Sequence, residues 1–120
     1  MIELPEGIIV TVSRKYLKER GERNWLKDFM KAMYDESYTY WLRLGSRPKR
    51  EVLYIYLVLG NKIRYRYTFV MYEKGGSFNT SDGRIIFANC WLVGAGPLVR
   101  PEVEIRRRGF QGFRYTEFIF

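Results

Sequence analysis

Histidine is absent from the 120 residues, and cysteine occurs once, at Cys90. The first absence removes Ser-His-Asp and Cys-His catalysis, together with histidine-ligated zinc or iron. The second allows no internal disulfide and no multi-cysteine metal site. No apolar run approaches the roughly 18 residues of a membrane-spanning helix. The opening Met1-Ile2-Glu3-Leu4-Pro5-Glu6 lacks the basic n-region of a secretory signal. These absences predict a soluble, cytoplasmic chain with no membrane association, no cofactor and no metal. Acidic side chains are also scarce, 13 against 21 Lys and Arg, which leaves a net charge of +8.

What is present is enough for a packed core. Hydrophobic residues make up 47% and aromatic residues 18% of the chain, which excludes a disordered tail or linker. The length suits one domain over residues 1–120. The positive charge is concentrated. Arg43, Arg47, Lys49, Arg50, Lys62, Arg64, Arg66 and Lys74 face only Glu51 and Glu73 between residues 41 and 75, and a second basic run follows at Arg106-Arg107-Arg108. Such a block favours polyanionic partners, and arginine suits bidentate contacts to phosphate or base edges.

Residues 7–12 are a β-branched run suited to a buried strand. Ser13 can cap a short helix from Arg14 to Arg20 that Gly21 ends. Asn24 can cap a second, with Leu26, Met30 and Met33 at helical spacing. Residues 38–44 read as extended. Val52 to Leu59, the turn Gly60-Asn61 and Lys62 to Tyr72 read as a hairpin whose first strand is apolar on both faces and therefore central. On the return strand Lys62, Arg64 and Arg66 alternate with apolar residues, which predicts three cations in register on one face, spaced about 6.6 Å apart. A turn is expected at Ser81-Asp82-Gly83, a strand from Arg84 to Val93, a break at Gly94-Ala95-Gly96-Pro97, and a closing strand from Tyr115 to Phe120. Arg108-Gly109-Phe110-Gln111-Gly112-Phe113 is similar to the basic-Gly-aromatic motif of RRM domains. Gln111 interrupts it, and the segment reads as a glycine-kinked stretch that brings Phe110 and Phe113 against the core.

A buried strand ending at Ser13, an inserted helical pair, Trp41 and a polar Pro-containing loop, then a strong hairpin, resemble the PUA-like superfamily and its EVE and ASCH branches. The resemblance implies an α+β pseudo-barrel of six or seven mostly antiparallel strands, with two helices inserted after the first, that binds RNA or a modified DNA base. It further implies a pocket near Ser13 and Tyr16, then Tyr40 and Trp41, with Trp91 a third aromatic candidate. The ASCH pattern G-x-K-x-x-E-x-R is approached by Gly60 and Lys62, with Tyr65 where its glutamate belongs and Arg66 one place before its arginine.

The leading expectation is a nucleic-acid-binding module for RNA or DNA, with a modified or unpaired base among its targets. Arg14, Lys49, Arg50, Lys62, Arg64 and Arg66 would meet phosphate while Trp41 stacks on a base. The first alternative is a metal-independent ribonuclease of the ASCH type using Lys62, Tyr65 and Arg66. The second is a protein-interaction domain of a phage or mobile-element accessory protein, acting through the aromatic residues 115–120. A monomer or weak homodimer is expected.

Overall fold

The computed structural model describes residues 7–12, 18, 39–79 and 85–120. Six strands follow in chain order: β1 (Gly7–Thr11), β2 (Thr39–Leu44), β3 (Tyr54–Leu59), β4 (Lys62–Asn79), β5 (Ile85–Val99) and β6 (Phe113–Thr116). They form one sheet in the order β2-β5-β4-β3-β1-β6, curled as a half-barrel. β1 and β3 run parallel, and the remaining pairs are antiparallel. No helix among the described residues is long and apolar enough to cross a membrane.

The expectation of an α+β pseudo-barrel is overturned. Strands are the only elements of the described residues, and β2 and β6 remain as the two edges of an open sheet. Apart from Lys18, which has helical geometry, the two helices expected after β1 fall on residues outside the described set. The physical reason for the strand content lies in β4 and β5, which extend well past their expected ends. β4 continues to Asn79, where it pairs with Ile85. β5 runs through Gly94-Ala95-Gly96-Pro97, where a break was expected. Gly94 is there because the Tyr67 ring lies against its Cα, in the space that a Cβ would fill. The glycine serves close packing inside a strand, a use that composition alone does not separate from a turn.

The β3–β4 hairpin forms as expected. Gly60 and Asn61 adopt φ of +58° and +61°, the positive values at both central positions that a type I′ turn requires. β3 is flanked by β4 and β1, and Ile55 to Leu59 are buried. On one face Ile8, Val10, Ile55, Leu57, Leu59, Tyr65, Tyr67, Cys90 and Leu92 form the main core. On the other, Ile9, Tyr56, Val58 and Ile63 are covered by Ile105, Phe110, Ile119 and Phe120. The C-terminal segment therefore supplies the second layer that a two-faced apolar strand needs. Beyond Thr116 the chain leaves the ladder. The Ile119 N–H donates to the Tyr56 hydroxyl at 3.1 Å, and Phe120 meets the Tyr56 ring edge-on at 5.5 Å. The closing strand expected over 115–120 is thus Phe113–Thr116 followed by a packed tail.

A candidate nucleic-acid interface beside the edge strand

The three cations of β4 are not in register. Leu57 pairs with Tyr65 and Val58 with Ile63, so Arg64 is the extra residue of a β-bulge. Lys62 then lies opposite Leu59 and Arg66 opposite Tyr56, positions on opposite faces of β3. The expected single-face stripe is corrected by that one inserted residue. Each end of the stripe also has an internal partner. Lys62 forms an ion pair with Glu104, which holds the Glu104 carboxyl below the usual carboxylate range, chiefly through their hydrogen bond. Arg66 is half-buried, donates to the Phe120 carbonyl, and lies over the Tyr54 and Phe120 rings at 4.7 and 5.2 Å. Arg64 is exposed and lines an open cleft of about 560 Å³ with Lys62, Tyr65, Arg100, Glu102 and Glu104.

The ribonuclease trio is therefore not assembled. Lys62 and Tyr65 border the same cleft, Tyr65 is buried beneath the Arg100 guanidinium, and Arg66 belongs to the other face. Trp91 is also no platform for a base. It is 5% exposed, packs with Ala88 and Val93, and donates its indole N–H to the Gly76 carbonyl at 3.3 Å. Ser13, Arg14 and Tyr16 lie outside the described residues. Tyr40 and Trp41 sit on β2 opposite Gly94 and Val93, and their side chains are outside the described set. Cys90 is buried in the main core, and desolvation pushes its thiol pKa up, against a smaller opposing effect of Arg47.

Lys49 and Arg50 are differently placed. They end the polar loop between β2 and β3, and it is their main chain that is held. Both backbone N–H groups donate to the Tyr115 hydroxyl, at 3.0 and 3.1 Å. The Tyr72 hydroxyl donates to the Arg50 carbonyl at 2.6 Å. Burial, with a smaller contribution from Tyr115, raises the Tyr72 pKa above its ordinary value of 10.0, so the phenol stays a donor at physiological pH. With two tyrosines from β4 and β6 bonding to its backbone, the loop leaves Arg47, Lys49 and Arg50 exposed.

Sequence reasoning missed the other half of this surface. Arg114, next to Tyr115 on edge strand β6, places its guanidinium over Phe110 at 4.6 Å, and Arg107 approaches the same ring at 5.9 Å. The segment is pinned to the β3–β4 turn by Arg107 N–H to the Asn61 carbonyl and Gly109 N–H to the Asn61 side chain. Phe110 N–H to the Thr11 hydroxyl adds a third bond. Arg108 and Arg114 are exposed, whereas Arg106, also exposed, forms a β-bridge with Lys62 and pairs with Glu104 at 3.6 Å. Since Arg114 and Tyr115 are adjacent on β6, their side chains leave opposite faces of that strand. The clamped loop and the pinned arginine segment thus flank one sheet edge. The signal for it was the Arg106-Arg107-Arg108 run beside a glycine-kinked aromatic stretch.

Comparisons with protein-family models, with curated proteins and with solved structures each return no match.

Proposed function

We propose that this chain is a nucleic-acid-binding module whose contact surface is the cationic band flanking β6. One observation carries the reading: the Lys49–Arg50 backbone is bonded to two tyrosine hydroxyls while its cationic side chains remain exposed. A loop ordered in advance loses less conformational entropy when it meets a partner. On the other side of β6, Arg108 and Arg114 add exposed positive charge, while Arg106, β-bridged to Lys62, is paired with Glu104. Repeating phosphates suit an excess of this sign and the planar donors of arginine.

The ribonuclease alternative gains no support, because Arg66 is held away from Lys62 and Tyr65. The protein-interaction alternative keeps the open edge of β6 and the exposed Phe118 in its favour, although Ile119 and Phe120 pack on β3 and β4. The test is fluorescence anisotropy with labelled duplex DNA, single-stranded DNA and single-stranded RNA at two salt concentrations. The expected result is binding that weakens steeply as salt rises, with log affinity falling by about 0.9 per neutralised phosphate for each tenfold rise in salt on a duplex. Absence of binding to every probe at low salt would refute the reading.

A further inference from the structure

The rings that border this band already carry guanidinium groups. Arg50 lies over Tyr115 at 5.6 Å, and Arg114 and Arg107 share Phe110. Farther along the sheet, Arg100 covers Tyr65 and Arg66 covers both Tyr54 and Phe120. Phe118 is 54% exposed but leans on Tyr54 at 5.9 Å. Phe87 is 63% exposed and stands on the β4–β5 ribbon, paired with Ser77. An unpaired base needs an open ring face, and proteins that hold single strands without sequence preference rely on such faces. At the two described rings bordering the band, Tyr115 and Phe110, a base would first have to displace the chain's own arginine.

A guanidinium resting on a ring keeps its N–H donors free at its edge. The rings bordering the band therefore serve as supports that aim arginine donors outward. With the main chain fixed on both sides of β6, the cations form a preset array.

From these observations we infer that the band reads the sugar-phosphate backbone of a double helix, with no selection among bases. The inference rests on the nucleic-acid reading above and narrows it. A duplex presents its phosphates on a rigid frame at one charge per about 1.7 Å of axis, which suits a preset array. A single strand must be ordered on binding, and the described rings of the band, Tyr115 and Phe110, lie under arginines and offer it little stacking in return.

The test uses the intact chain and a labelled duplex of roughly 20 base pairs, about two helical turns. At one fixed salt concentration the unlabelled competitors are A·T-only and G·C-only duplex DNA, duplex RNA, poly(dT) and poly(rA). All are matched in phosphate concentration. The two DNA duplexes should compete within about threefold of each other, and both single strands roughly tenfold or more weakly, the loss expected without stacking. Duplex RNA competing like duplex DNA fits backbone reading of either helix. Stronger competition by a single strand, or a tenfold difference between the A·T and G·C duplexes, would overturn the inference while leaving the nucleic-acid reading in place. No binding of the labelled duplex, or of the competitors when each is labelled in turn, would overturn both. The variant Phe110→Leu separates support from stacking. It should weaken all probes by a similar factor, and a loss confined to single strands would contradict the inference.

Discussion

Two groups of cations in this chain look alike in sequence and end in opposite situations. On β4, Lys62 and Arg66 are bound by partners of their own chain, Glu104 for one and the Phe120 carbonyl with two rings for the other. Beside β6, at Lys49 and Arg50, the partners take the backbone and leave the charged ends exposed. Whether a cation is available to a ligand is thus set by which of its atoms the fold satisfies. The bulge at Arg64 sharpens the contrast, because it turns Arg66 toward the tail that covers the second core face.

Replacing the β4 arginine should show that it serves the fold. We predict that Arg66→Ala lowers unfolding free energy by about 2 kcal/mol, through a lost charged hydrogen bond and two lost ring contacts. Urea denaturation checks this, and nucleic-acid affinity of the folded variant should be unchanged. A variant of normal stability would break the comparison from the β4 side.

Tyr115→Phe tests the β6 side without altering charge. Removing the shared acceptor frees the Lys49 and Arg50 N–H groups, and the loop must then be ordered on binding. The expected loss is roughly three- to tenfold in duplex affinity, about 0.7–1.4 kcal/mol, read by anisotropy. Unchanged affinity would mean that the clamp does not prepare the loop.

The Tyr72 clamp carries a pH signature. Because its folded pKa is raised above the ordinary 10.0, its stabilisation is full below pH 10.0 and drains away as pH rises toward the folded value. Wild type should therefore lose stability above pH 10.0 more steeply than Tyr72→Phe, which thermal melts across that range would measure. Equal slopes would remove Tyr72 from the clamp.

Glu104→Gln should have the smallest effect. The depressed Glu104 pKa contributes stability above the ordinary carboxylate value of 4.5 that is lost as pH falls through the lower folded value. The pair is solvent-exposed, so the melting temperatures of wild type and variant should differ slightly at neutral pH and converge in acid. A large difference at neutral pH would show that Lys62 anchors the 100–105 segment more firmly than an exposed pair can.

The sequence made some of this legible. The β1 run of β-branched residues, the Gly60-Asn61 turn and the double-sided apolar β3 each follow from local chemistry, and all three are found. The packing of Phe110 and Phe113 against the core is found as well. The alternation of Lys62, Arg64 and Arg66 misled, because a bulge is set by cross-strand pairing and leaves no mark in the alternating pattern. Gly94 to Pro97 misled because a glycine that admits a tyrosine ring looks like a glycine that turns the chain. Trp91, a pocket candidate by resemblance, is buried, a matter that only its neighbours decide. Arg114 was missed because its place beside Tyr115 on an edge strand depends on β6 pairing with β1, more than a hundred residues away in sequence.

The most direct measurement compares two double variants of equal charge, Lys49→Ala with Arg50→Ala and Lys62→Ala with Arg66→Ala, by the salt dependence of duplex binding. The account predicts that the first reduces the slope of log affinity against log salt by nearly 2, about 0.9 for each lost phosphate contact. The second should keep the wild-type slope while the protein becomes less stable. Equal reductions in both would contradict the account, for then net charge and not the placement of these cations would govern binding.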